Sequence, residues 1–185
     1  MVIKQRKQIR LKKYDYSDAG WYFVTICTQN RECLFGNIIN NKMILNKFGE
    51  IIKQYWLEIQ IHFNNVELDE FVIMPNHFHG IIIIRNIKQN VGAGFPRPIN
   101  SFGPTLGQIV GYFKYQTTKH INILIKGSGN PTPTKEPNKI KQFFQRLYYE
   151  HIIRNEFDLH RIRQYIKDNS INWENDKNNS EELWI

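Results

Sequence analysis

Met74-Pro75-Asn76-His77-Phe78-His79-Gly80-Ile81-Ile82-Ile83-Ile84 is the stretch on which the reading of this chain turns. Pro75-Asn76 marks a turn, and the apolar run that follows reads as a strand. Val66 to Met74 reads as its partner across that turn. The four isoleucines are apolar on both faces, the pattern of a central strand covered from both sides. Residues two apart on a strand point the same way, with Cα atoms about 6.5–7 Å apart. His77 and His79 therefore share one face, and Phe78 points to the opposite, apolar layer. Two readings fit such a pair: ligands of one metal ion, or two hydrogen-bonded histidines of the sheet. Two ligands do not complete a catalytic site, which needs a third protein ligand and an open position.

Working outward, Gly20 to Thr28 is aromatic and β-branched and reads as a buried strand. Asn37 to Leu45 reads as a small hairpin turning at Asn40–Asn41. Asn46 is placed to cap a helix carrying Phe48, Ile51, Ile52, Tyr55, Trp56 and Ile59 at helical spacing. Residues 86–104, rich in Gly, Pro and Asn, read as a loop, and Thr105 can cap a second helix with Leu106, Ile109, Val110, Phe113 and Ile121 along one side. Gly127 to Asn138, with three prolines and two glycines, reads as a linker, and Phe143 to Ile153 as a further strand. Asn155, with Glu156 and Asp158 in the first turn, opens a last helix through about Asp168. The order strand, helix, two strands, helix, strand, helix predicts an α+β sandwich with a largely antiparallel sheet. On the last helix Tyr165 and Asn169 stand four apart, one turn above each other, beside the stripe Leu159, Ile162, Ile166. A phenol there is either a core-edge residue or a nucleophile.

Composition bounds the function. The 185 residues are 41% hydrophobic, 14% aromatic and 23% charged, which suits one domain with its own core and excludes a disordered chain. The longest apolar runs are far shorter than the ~18 residues a transmembrane helix needs, and no secretory h-region follows the basic start, so the expected location is cytoplasmic, away from a membrane. Cys27 and Cys33 form neither a disulfide framework nor a metal pattern. Net charge is +8 with a pI near 9.5, which permits a polyanionic partner. The first 13 residues hold Lys4, Arg6, Lys7, Arg10, Lys12 and Lys13 and no acid, and the last 12 hold four acids and one lysine. The arm reads either as a solubilising, solvated segment or as a phosphate grip, and 174–185 as a polar, acidic tail. Gly92-Ala-Gly94 lacks the Lys-Ser/Thr that opens a phosphate-cradling helix, so no nucleotide cofactor is expected.

Met74-Pro-Asn-His-Phe-His-Gly80, then Phe144-Gln-Arg-Leu-Tyr-Tyr-Glu-His-Ile-Ile-Arg154, then Arg163-Gln-Tyr-Ile-Lys-Asp-Asn169 resemble the motifs of the single-tyrosine HUH transposases, in particular their REP-associated branch. The resemblance runs from about Trp21 to Trp173 and includes Phe113-Lys114 and Thr118-Lys119-His-Ile-Asn122. It implies a single domain over 1–173 with a ferredoxin-like or RRM-like core, helices on one side of the sheet and a C-terminal catalytic helix. It further implies that His77, His79 and Asn169 are metal ligands for Mg²⁺ or Mn²⁺ and that Tyr165 is the nucleophile. His151 and Arg154 match a family segment of less certain role. The family usually continues Asn-Pro where this chain has Asn169-Ser170, which should loosen the helix end without removing a ligand.

The activity so implied is cleavage and rejoining of single-stranded or hairpin DNA through a 5′-phosphotyrosine, with a monomer favoured and a dimer open. DNA contacts would come from the arm, Lys114, Lys119 and Arg154. Tyr148 and Tyr149 are either base-stacking platforms or sheet core, the latter favoured. Two rivals stand beside this reading. One is a non-cutting, domesticated RRM-like nucleic-acid-binding module. The other is a metal hydrolase completed by Glu70 or Glu150, with Tyr165 structural.

Overall fold

The computed structural model describes residues 16, 18–86, 103–127 and 141–179. The basic arm 1–13 with its six cations, most of the loop 86–104, residues 128–138 of the linker and residues 180–185 lie outside the described residues. The chain runs β1 (Gly20–Cys27), β2 (Gly36–Ile39), β3 (Lys42–Leu45), α1 (Lys47–His62), β4 (Val66–Ile73), β5 (His77–Ile84), α2 (Leu106–Gly127), β6 (Tyr149–Ile153) and α3 (Glu156–Asp168).

Local chemistry sets most of these boundaries. Asn40 and Asn41 take φ of 50° and 60°, the left-handed pair of a two-residue hairpin turn, and so join β2 to β3. The Asn46 side chain accepts from the Phe48 and Gly49 amides at 2.9 and 3.0 Å and starts α1. Thr105 and Gln108 cap each other reciprocally ahead of α2. Asn155 accepts from the Asp158 amide at 2.8 Å and starts α3. The end of α3 is tied rather than loose: Asn172 donates from its backbone and its side chain to the Asp168 carbonyl, both at 3.1 Å.

The four-stranded sheet has the order β4-β5-β1-β6 with every pairing antiparallel, and β2-β3 forms a separate ribbon. This is the β-α-β-β-α-β arrangement of a ferredoxin-like fold, with the ribbon inserted before α1 and α3 added at the end. All eight residues of β5 are buried, because both faces are covered. Tyr22, Val24, Ile26, Phe78, Ile82 and Ile84 meet α1 and α2 in the larger core, with Trp56 and Phe113 between them. Gly80 permits this packing, since a β-carbon there would run into the Trp56 ring. On the other face Phe23, Ile81 and Ile153 meet Leu159, Ile162 and Ile166 of α3.

The expected strand from Phe143 to Ile153 is shorter than its composition predicts. Only Tyr149–Ile153 pairs as β6; residues 143–146 spend their backbone groups elsewhere. The Phe143 carbonyl accepts from the Gln29 amide, Gln145 donates to the Cys27 carbonyl, and the Gln145 and Arg146 carbonyls both accept from Lys114 Nζ. Lys114 is therefore a strut inside the fold. Its ammonium is half-buried and desolvation holds its pKa down at about 8, so the expected role as a DNA contact does not fit where the side chain lies.

Candidate metal and tyrosine site

The pleat places His77 and His79 on the α3 face of β5 and Phe78 on the other, as the alternation requires. His79 is in register with Thr25 of β1, and its Nδ1 lies 2.8 Å from Thr25 Oγ1. Its Nε2 lies 3.2 Å from the Tyr165 hydroxyl of α3. Phe23 stacks on the His79 ring at 5.3 Å, and Trp173, just past α3, stacks on His77 at 6.0 Å. Both imidazoles are thus nearly solvent-free, at 0% and 1% exposure.

A chain of amides orients His77. Arg31 donates to the Asn178 carbonyl and to Asn178 Oδ1, at 3.2 and 2.8 Å. Asn76 Nδ2 donates to the same Asn178 carbonyl at 2.9 Å. That bond fixes which way the Asn76 amide faces and turns its Oδ1 to His77 Nδ1 at 2.8 Å. An acceptor at Nδ1 requires a proton there, so Nε2 keeps its lone pair. This is the tautomer a metal-binding imidazole needs, held by the outer partner such ligands commonly have.

Two buried acceptors at the centre have no hydrogen-bond partner: His77 Nε2 and Asn169 Oδ1. Asn169 follows the last turn of α3, is 2% exposed, and its amide faces both His77 and Tyr165. Asp176 Oδ2 stands 3.7 Å from His77 Nε2, beyond hydrogen-bond length. One donor atom each of His77, His79 and Asp176 lie within 4.8 Å of one another, the one such His/Cys/Asp/Glu group among the described residues. Orphaned buried acceptors facing one point are costly unless a cation completes them. Imidazole, amide and carboxylate together are a donor set that could hold a divalent ion tolerating nitrogen and oxygen ligands.

Burial dominates the electrostatics. It pushes the His77 pKa down to about 4 against the opposing pull of Asp176, and holds His79 well below the usual histidine range, with the His77 charge as second cause. Burial also pushes the Tyr165 hydroxyl up to about 12, helped by the Asp176 carboxylate and opposed by the hydrogen bond from Asn169. Burial therefore favours neutral imidazoles, whose lone pairs remain open to a cation, and a protonated phenol.

The other expected residues divide plainly. His151 lies on β6, on the same face, with Nε2 2.6 Å from Asp158 Oδ2; Arg161 holds the other Asp158 oxygen at 2.6 Å. Arg154 and Lys119 are exposed, Lys119 on a helix of the opposite layer. Glu70 pairs with Lys167 at 3.0 Å, and Glu150 stands opposite Val24, on the α1/α2 face. Neither carboxylate reaches the histidines, which removes the proposed hydrolase ligand set. Asp176 and Asn178 fall in the segment read as an acidic tail, so packed structure continues past the expected boundary at 173. Tyr149 is 49% exposed on the site's face of the sheet and is not core; Tyr148 packs partly against the core. No helix among the described residues is long and apolar enough to cross a membrane.

Similar chains and a similar fold occur elsewhere. An uncharacterized protein of Haemophilus influenzae is 42% identical over 181 residues, covering 95% of this chain and 93% of its own. The two chains belong to one family. No protein-family model matches the chain. Among solved structures, a REP-associated tyrosine transposase bound to a REP hairpin superposes with a TM-score of 0.53 at 17% identity, over 89% of this chain and 73% of that one. This chain therefore shares the fold of that transposase, the fold that the motifs implied.

Proposed function

We propose that this protein is a tyrosine transposase, cutting and rejoining single-stranded or hairpin DNA through a covalent tyrosine intermediate. The observation that carries the reading is the Tyr165 hydroxyl at 3.2 Å from His79 Nε2, beside the bare Nε2 of His77 and the bare Oδ1 of Asn169. A core-edge phenol has no reason to meet a buried, electron-rich donor cluster.

Tyr165 Oη attacks the phosphorus of a phosphodiester, forming the P–Oη bond while the bond to the 3′ oxygen breaks. The phenol gives up one proton and the departing 3′ oxygen takes one, so the step is neutral overall. It exchanges one phosphodiester for another and needs no nucleotide cofactor. A free 3′-OH then reverses the step on the same or another strand. His77, His79 and Asn169, with Asp176 in reach, would hold the divalent cation, which when bound supplies positive charge to the phosphate oxygens. Asn76 and Thr25 keep the two rings turned toward it. The Tyr165 hydroxyl lies 3.2 Å from the His79 nitrogen that would face the cation, so the phenol and the cation would sit on the same side of that ring. The hairpin-bound neighbour makes a hairpin DNA the first substrate to try.

The test is a single-stranded oligonucleotide set containing hairpins, incubated with the protein and Mn²⁺ and resolved under denaturing conditions. A protein–DNA adduct should form, vanish in Tyr165→Phe and vanish in chelator. Cleavage that survives Tyr165→Phe refutes the nucleophile, and DNA binding with no adduct under any divalent cation selects the non-cutting module instead.

A further inference from the structure

A cleft of about 580 Å³ opens beside the tyrosine, between α3 and the β1/β6 half of the sheet. We propose that it is a stacking site for an unpaired nucleotide of the DNA strand, with the Tyr149 ring as the platform. The proposal rests on the transposase reading for the identity of the strand and adds which part of it the protein reads.

The sheet register gives the placement. His79, Thr25 and Tyr149 face one another across β5, β1 and β6, a single row on one side of the sheet. Two strand spacings, about 10 Å, separate the ends of that row. A phosphate at His79 and Tyr165 thus puts the next base of the strand over Tyr149. The ring is 49% exposed although it sits on a half-covered sheet face, and it meets Phe23 edge-on at 6.4 Å and 70°. Edge-on contact fixes the ring's tilt and leaves a face to offer. Leu147, 53% exposed, extends the apolar wall. Tyr149 and Leu147 together give the concavity an apolar wall.

The rim chooses the ligand. Arg31, Arg161 and Lys177 line the same cleft, and the Asp158 carboxylate beside it is already shared between His151 and Arg161. Flat apolar walls with a cationic rim match a base joined to phosphates, which is also how single-strand binders combine aromatic platforms with positive grooves. A lipid chain has no use for the row's alignment with the tyrosine, and an acidic peptide none for the open aromatic face. The wall itself is held from behind, where Lys114 binds the Gln145 and Arg146 carbonyls and lies over the Tyr148 ring at 5.9 Å.

The experiment uses the full chain and a pool of randomised single-stranded 30-mers in which 5-bromouracil replaces thymine. Anisotropy reads binding, and photo-cross-linking followed by peptide mapping reads which residue a base touches. We expect a cross-link at Tyr149, a loss of affinity of about tenfold or more in Tyr149→Ala, and binding within about twofold of wild type in Tyr149→Trp. Cross-links confined to other segments, equal binding by Tyr149→Ala, or no binding of the pool by wild type each overturn the proposal. Its failure is separable from that of the transposase reading. An adduct at Tyr165 with no cross-link at Tyr149 refutes the platform alone, and a Tyr149 cross-link without any adduct refutes the cleavage alone.

Discussion

The two faces of one sheet make opposite use of the same strands. Toward α1 and α2, β1 and β5 present Tyr22, Val24, Ile26, Phe78 and Ile82, all fully buried among apolar neighbours. Toward α3 they present Phe23 and Ile81 at one end and then Thr25, His77 and His79, with two acceptors left bare at the centre. The pleat divides the labour residue by residue: Phe78 belongs to the apolar side and its two neighbours to the polar one. Stability and chemistry are therefore separable by substitution even at adjacent positions.

The strongest way to break that separation is Trp56→Ala. It empties the apolar side under Gly80 and should cost about 3–5 kcal/mol of unfolding free energy, read by urea titration. A loss below 1 kcal/mol would mean that the α1/α2 side does not dominate stability.

The next test is pH, in chelator. The unfolded chain protonates its histidines near 6.5, whereas His77 resists until about 4 and burial holds His79 well below 6.5 as well. Between those values the unfolded state binds more protons, so stability is highest above pH 6.5 and falls as pH drops toward 4. The slope is roughly 1.4 kcal/mol per pH unit for each histidine. His77→Gln should reduce it, and an unchanged slope would mean that His77 is open to solvent.

Smallest in energy is Asn76→Ala, which acts on the polar side alone. Mn²⁺ affinity should fall about 10- to 100-fold, measured by calorimetry, with urea stability moved far less than by Trp56→Ala. Equal affinity would show that the His77 ring is oriented without its amide partner.

What the sequence disclosed follows the range of the forces involved. The caps at Asn46, Thr105 and Asn155 and the Asn40–Asn41 turn are local, and each is where its residues announce it. The His77/Phe78/His79 alternation is equally local, and so is the one-turn spacing of Tyr165 and Asn169. Composition alone overextended β6, because the groups that take its backbone away, Lys114 and the end of β1, lie 31 residues and more distant. Asp176 and Asn178 had no period to betray them; they sit in an irregular segment and matter only through Arg31, Asn76 and His77. Asn76 was in plain view as a turn residue, and its second duty becomes visible only once Asn178 fixes its amide. The exposure of Tyr149 likewise depends on how far α3 reaches across the sheet.

Besides three buried aliphatics, α3 is moored to β4 by charge: Glu70 takes Lys167, and Asp69 takes Arg163 through two bonds of 2.8 and 2.6 Å. These moorings sit two residues either side of Tyr165, at a bulge in β4 between Leu68 and Phe71 that turns both acids toward the helix. Such pairs weaken as mobile ions accumulate, unlike the aliphatic contacts beneath them. Salt therefore acts on this protein twice, once on its hold of a polyanion and once on the leash of its own nucleophile.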